Sequence, residues 1–489
     1  MVPFISTRPN SNMSADEFKR RLDERVPALL QRFGVPGVSV ATVIDGRPAD
    51  SYAYGQANIA QQRPMSVDSV FQVASISKSF TAWGIMRLVD VGQIELDAPV
   101  EHYIAPWPLP DSSFPRDQVT VRRLLQHTAG VNPGNLGVRN PDEPALTTRS
   151  VLQGEGKHPL VETAGPTRLE FPAMARFLYS NPGYTLLQLA IEQETGRPYA
   201  DYMKHQILGP MGMTSSSFDW DMPLRVRTAT PYLSDGSATQ ITILNDQATG
   251  SLFSTAPDLA RFIAVSVGED PNAILTTASR SELYSPGIEL PAFEVQGLAS
   301  DAGAMGHYVE RLPDGRSAMM NGGFVPGWTS QFYFIPESGD GIVVLTNSDR
   351  GRAVIAEIAA DWAAWRGLPA LKMTRTYNIV GIAGPIIIGS MILITLVVAF
   401  NTASDLVRKC RRFVLAVHGK KIRALALLTP ALVLSFVWFG FARTIVMFGF
   451  PWLELPMTTA IVVLGMALLF SALLPIAPRS LQGKELLVA

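Results

Sequence analysis

Residues 71–80 read FQVASISKSF, and within them Ser75 stands three positions before Lys78. If a helix opens at Ser75, this spacing puts the lysine amine on the face that carries the serine hydroxyl. A free serine is a weak nucleophile and needs a base beside it. Lysine can serve when desolvation or neighbouring positive charge favours its neutral form. A helix N-terminus adds backbone N–H groups suited to a developing oxyanion. Alone the pattern is weak: about one such spacing is expected by chance, and an N-cap serine is its commoner cause.

Two further stretches change the odds. FLYSNPGY at 177–184 sets Tyr179 two residues before Asn181. A phenol near a lysine can carry a proton from the serine to a leaving group. The asparagine amide can accept from the lysine and donate to a substrate carbonyl. MMNGGFVPGWTSQFYFIP at 319–336 reads as a glycine-rich approach to a strand. There Gly322 and Gly323 would let substrate near the main chain, and Phe324 would offer a second oxyanion N–H. Each stretch also has a bland reading: a packed tyrosine, a turn asparagine, a glycine turn. All of them in one order is what favours chemistry.

Around these stretches the chain alternates strand and helix signals. Ser14-x-x-Glu17 is a capping box ahead of an amphipathic run that Gly34 stops. Two β-rich runs flank Asp45-Gly46, a hairpin signal. The middle, 100–300, is rich in Pro and Gly with helical pieces, and strand character returns late, with a turn expected at residues 339–341. The expected fold is α+β: an antiparallel sheet closed by both ends of the domain and flanked by helices, plus a helical subdomain.

Together these motifs resemble the serine β-lactamase and penicillin-binding-protein superfamily, in its class C β-lactamase-like branch of DD-peptidases and esterases. The resemblance spans about residues 20–365 and includes VTVRRLLQHTAGV, GSLFSTAPDLARF and NGGFVPGWTSQ besides the stretches above. It implies a two-lobed fold with Ser75 as the acylated nucleophile, Lys78 as its base partner and Tyr179 as general base and acid. Asn181, Asn321, Gly323 and Phe324 would bind substrate, and His127 and Gly130 would belong to a structural loop. The implied substrate is a peptide, amide or ester, D-amino-acid peptides included. The chain departs from the family at Asn321, where Lys or His is usual, so a substrate carboxylate would lack its cation there. The rival function is a penicillin-binding sensor or scaffold with little turnover.

Composition limits the alternatives for this 489-residue chain. Its net charge of −1 suggests no nucleic-acid partner. Cys410 is the only cysteine, so neither a disulfide framework nor a cysteine zinc cage is possible, and no metal site or cofactor is expected. Oligomeric state is not legible. After residue 370 the chain turns strongly apolar, and segments 379–400, 424–442 and 455–478 each suit a ~30 Å hydrocarbon core. The expected organisation is an N-terminal arm (1–13), a hydrolase domain (14–370) and a membrane domain (371–489) of three transmembrane helices in the lipid bilayer. Arg408, Lys409, Arg411, Arg412, Lys420, Lys421 and Arg423 crowd the first loop, whereas the second has only Arg443. The basic loop therefore belongs in the cytoplasm, which puts the hydrolase domain on the extracytoplasmic side of a bacterial cytoplasmic membrane. The first residues, MVPFISTRPNSNMSADEF, hold no apolar signal core, so either the true start lies upstream of Met1 or the orientation is reversed, and the seven-charge loop favours the first.

Overall fold

The structure is a computed structural model that describes residues 13–134, 137–156, 165–268, 274–291, 296–408, 429, 432–439 and 450–473. The chain divides into two units, Thr7–Thr376 and Tyr377–Ala489.

The first unit begins with α1 (Ala15–Phe33), where the Ser14 and Glu17 side chains each bond the other's backbone N–H and Gly34 closes the helix at φ 64°. β1 (Gly37–Ile44) and β2 (Arg47–Asn58) follow as a hairpin. Both turn residues have positive φ, Asp45 at 50° and Gly46 at 72°, as a two-residue turn matched to strand twist requires. The strands β3 (Arg63–Pro64), β4 (Ile288–Glu289), β5 (Ala302–Gly303), β6 (Tyr308–Arg311), β7 (Ser317–Val325), β8 (Trp328–Ile335) and β9 (Asp340–Thr346) complete one antiparallel sheet. Its order is β3-β2-β1-β9-β8-β7-β6-β5-β4, so strands from the two ends of the domain pair inside the sheet as its third and fourth members, with Val38 opposite Thr346.

Both faces of this sheet are covered, and β8 and β9 are buried along their whole length. Phe332 and Phe334 lie on one face, where Phe332 meets Phe262 of α5 (Ala256–Val267) edge to face at 5.7 Å. Tyr333 points the other way, its hydroxyl 3.6 Å from the Met373 sulfur. On that side α1 packs on α6 (Gly351–Trp365). Phe18 stacks on Trp365 at 4.2 Å, and Arg21 and Arg25 pair with Asp361 and Glu357. The β8–β9 turn falls at residues 336–339, ahead of the expected position. Asp340 and Gly341 are in the ladder opposite Ile335 and Phe334, and a Cβ on Gly341 would lie 2.6 Å from Ile263.

The segment between β3 and β4 forms the helical lobe. Its centre is α2 (Ser77–Asp90), packed against α3 (Asn181–Thr195) and the short α4 (Gln247–Gly250). An α+β fold with a helical lobe inserted into an antiparallel sheet is therefore what the chain adopts.

α7 (Lys372–Val407) starts within the first unit. The backbone N–H of Lys372 donates to Glu310 Oε1 at 2.6 Å, its amine reaches Asp301 at 2.7 Å, and Thr376 bonds the Leu298 carbonyl.

In the second unit α7 and α8 (Pro451–Leu473) are long and apolar. Lys372–Val407 and Leu453–Ser471 each contain an 18-residue window, of mean hydropathy 2.5 and 2.0 respectively, and are long enough to cross a membrane. They overlap the first and third expected spans. The middle one, 424–442, lies mostly outside the described residues, and its described part at 432–439 is helical.

Candidate active site

Ser75 does not open the helix. It sits in a 3-10 turn, Ala74–Ile76, that leads into α2. The tighter turn still brings Lys78 Nζ to 3.3 Å from Ser75 Oγ. Ala74 adopts φ 49°, a left-handed conformation that costs a non-glycine residue on the order of 1–3 kcal/mol. Two contacts over-determine this corner: Ser330 Oγ donates to the Val73 carbonyl at 2.8 Å, and Ser77 Oγ accepts from Leu252 N at 3.0 Å. Ser75 is half-buried while Lys78 is buried, so the hydroxyl is the accessible member of the pair.

Three groups besides Ser75 surround the lysine amine. It donates to the Thr249 carbonyl of α4 at 2.7 Å and lies 5.0 and 5.6 Å from the ring centroids of Tyr179 and Tyr184. The Tyr179 hydroxyl donates to Ser75 Oγ at 2.8 Å, so lysine and phenol converge on one oxygen. Tyr179 is aimed by the start of α3. Ser180 caps that helix, accepting from Gly183 N at 3.0 Å and donating to the Asn132 carbonyl at 2.7 Å. Behind Tyr179, the His127 ring is tilted against it at 4.5 Å, and its Nδ1 accepts from Ser180 N at 3.1 Å. Burial, with the Lys78 charge adding to it, holds His127 well below its ordinary pKa. The imidazole is therefore neutral, with its proton on Nε2, and serves as a support for Tyr179.

The remaining expected residues fall at different places around Ser75. Asn181 is half-buried in the first turn of α3, two residues past Tyr179, with its backbone N–H bonded to the Pro133 carbonyl at 3.1 Å. Asn321 was expected to face substrate, but its amide points inward. Its Nδ2 donates to the carbonyl of Ser75 (3.2 Å), Ser79 Oγ (2.9 Å) and the Gly306 carbonyl (3.0 Å), and its Oδ1 accepts from Gly322 N at 2.8 Å. The side chain thus ties β7 to the Ser75 turn from behind.

The glycines serve the same close approach. A Cβ on Gly323 would lie 2.2 Å from the Val73 carbonyl oxygen and 2.8 Å from Ala74 Cβ. One on Gly322 would meet the tip of the Gln331 side chain at 2.2 Å. Backbone cannot yield as a side chain can, so Gly323→Ala should lower stability by about 1–3 kcal/mol and slow the reaction of Ser75 with a fluorophosphonate probe. Gly322→Ala should be milder on both counts. Thermal melts and labelling rates of the two variants check this order. Phe324, next on the strand, is half-buried beside this contact.

Thr249 was not identified from sequence, because a main-chain carbonyl acceptor leaves no side-chain signature. A cavity of about 10 Å³ lies behind Lys78, beside His127, His307 and Asn321. The larger groove of about 650 Å³, at the β1–β2 and β8–β9 turns, is lined by Asp45, Arg47, Val267 and Pro336 and includes none of the candidate residues.

A serine at the seam between an antiparallel sheet and a helical lobe, touched by a lysine and a tyrosine, marks the class of α+β serine hydrolases. The Beta-lactamase family model matches residues 22–364, and the chain belongs to that family. Penicillin-binding protein 4* of Bacillus subtilis (strain 168) is 27% identical over 321 residues, which cover 61% of this chain and 65% of that protein. Among solved structures, the octameric penicillin-binding protein homologue from Pyrococcus abyssi has a TM-score of 0.57 at 25% identity over 74% of this chain and 81% of its own. The D-amino acid amidase from Ochrobactrum anthropi SV3 has a TM-score of 0.58 at 23% identity, over 71% and 99% respectively, and speaks for the fold alone.

Proposed function

We propose that this protein is a membrane-anchored serine hydrolase that acylates Ser75 with peptides, amides or esters, D-amino-acid derivatives among them. The observation that carries the reading is the convergence of the Tyr179 hydroxyl and the Lys78 amine on Ser75 Oγ, at 2.8 and 3.3 Å. As Ser75 Oγ bonds to the substrate carbonyl carbon, its proton passes to the Lys78–Tyr179 pair. Tyr179 then protonates the leaving amine or alkoxide as the bond to it breaks. Water attacks the acyl-enzyme by the same steps in reverse and releases the acid. The developing oxyanion is assigned to the backbone N–H groups of Ser75 and Phe324, and the substrate amide to Asn181. Likeness to penicillin-binding proteins supports the substrate class. The test is a screen of the full-length protein in detergent against D-amino-acid peptides, β-lactams and short esters. A burst followed by steady product release is expected; a burst with no turnover on any of them overturns the hydrolase in favour of a binding protein.

The same reading takes residues 14–370 as the hydrolase domain and 371–489 as a membrane domain with spans near 379–400, 424–442 and 455–478. The basic residues from Arg408 to Arg423 then face the cytoplasm and the hydrolase domain faces outward. A membrane-impermeant maleimide is expected to leave Cys410 unlabelled in intact cells and to label it after lysis. Labelling in intact cells would reverse the orientation.

A further inference from the structure

α4 is a single turn, too short to hold its own place, because one turn fixes several residues for few hydrogen bonds. Yet its Thr249 carbonyl takes the Lys78 amine at 2.7 Å, closer than Ser75 Oγ at 3.3 Å. What fixes α4 comes from its neighbours. On the α2 side, Thr81 Oγ1 donates to the Ala248 carbonyl at 2.8 Å. On the α3 side, Gln188 Oε1 accepts from Ala248 N at 2.9 Å. Ala248 is among the first residues of α4, whose N–H groups have no acceptor within the helix, so Gln188 supplies one from outside. A Cβ on Gly250 would lie 2.6 Å from the Leu244 side chain and 3.7 Å from the Ala74 carbonyl carbon, so α4 also runs against the Ser75 turn.

Gln188 is itself held. It is 3% exposed, and its Nε2 donates to Glu192 Oε1 at 3.1 Å and to Thr148 Oγ1 at 3.0 Å. Thr148 in turn donates to Glu192 at 2.8 Å. With acceptors gathered at its nitrogen, the amide turns its oxygen to α4. The lysine gains a direction from this arrangement. A neutral amine has two N–H groups and one lone pair. When one N–H is on the Thr249 carbonyl, with the Tyr179 and Tyr184 ring centroids at 5.0 and 5.6 Å, the lone pair is free for Ser75 Oγ. α3 also aims Tyr179 through the cap at Ser180. One helix therefore aligns both proton carriers.

We propose that Gln188 is a positioning residue for proton transfer at Ser75: its side-chain oxygen holds α4 so that the Thr249 carbonyl keeps the Lys78 amine aimed at Ser75 Oγ. The inference rests on the reading of Ser75 as the acylated residue. Loss of that oxygen leaves the buried Ala248 N–H without its acceptor and frees the short turn to shift. A shift of about 1 Å in a reacting group costs about 10²-fold in rate.

The test is fluorophosphonate labelling of Ser75 against probe concentration, for full-length wild type and Gln188→Met in detergent. In this reaction Ser75 Oγ displaces fluoride at phosphorus and its proton passes to the Lys78–Tyr179 pair. Methionine is close to glutamine in length and replaces the amide oxygen with a weak acceptor. The limiting rate constant is expected to fall about 10–100-fold, with the half-saturating concentration within about threefold of wild type. Melting curves set the assay temperature below unfolding of either protein. A merely structural role lowers the melting temperature and leaves the limiting rate constant unchanged. If Gln188→Met does not fold, Gln188→Asn, whose amide is too short to reach Ala248 and Glu192 together, gives the same comparison. A folded variant with the wild-type limiting rate constant, or one changed only in half-saturating concentration, overturns the positioning role and leaves the serine reading standing. A wild type that is never labelled at Ser75 overturns both.

Discussion

Ser75→Ala is expected to abolish covalent labelling by fluorophosphonates and fluorescent penicillins and to lower turnover by roughly 10⁴–10⁶-fold. The loss should be this large because both proton carriers address the one oxygen that is removed: Tyr179 donates to it at 2.8 Å and Lys78 at 3.3 Å. Among the described residues neither is bonded to a second hydroxyl. The fold should survive, because the corner around Ala74 is held by the Ser330–Val73 and Ser77–Leu252 bonds, which do not involve the Ser75 hydroxyl. Intact-mass spectrometry after incubation with the probe gives the answer directly. An adduct of unchanged stoichiometry on the alanine variant would sink the assignment of Ser75.

Tyr179→Phe is the second large effect, with kcat/KM expected to fall by about 10²–10⁴-fold. The ring contacts with His127 at 4.5 Å and with Lys78 at 5.0 Å need only the phenyl group, so the site should keep its shape. Because the change removes one hydroxyl and little else, KM should move far less than kcat. Release of the acyl group needs the same proton transfer as its formation, so the labelled enzyme should also persist longer. Steady-state kinetics and the decay of the acyl adduct measure the two expectations. A drop smaller than about tenfold would leave the proton with Lys78 alone.

Ser75, Lys78 and Tyr179 stood out in sequence because side-chain type and short spacing are local properties. They tolerated an error about the local backbone, since a 3-10 turn also brings a residue three positions on near the first. Asn321 was misplaced because the direction of its amide is decided by how β7 packs on residues far away in the chain. Gly322 and Gly323 were read as room for substrate, whereas they make room for Gln331 and for the nucleophile turn itself. Thr249 was invisible for a related reason: it acts through a main-chain carbonyl. The α+β class was legible because alternation and punctuation mark strands and helices. The β8–β9 turn was misplaced because two glycines flanking Asp340 do not reveal which of them must be extended in the ladder.

The pairing of β1 with β9 inside the sheet also sets a timetable for biosynthesis. Val38 must wait for Thr346, and at roughly 5–20 residues per second about 15–60 s of translation separate them. Throughout that interval the finished β1–β2 hairpin presents an apolar strand with one open edge, the template that neighbouring nascent chains can join. The helical lobe, whose contacts lie between the two strands in sequence, can settle first and shorten the search once β9 emerges. A stall or truncation anywhere before residue 340 should therefore yield chains that clump, even when the helical lobe is complete.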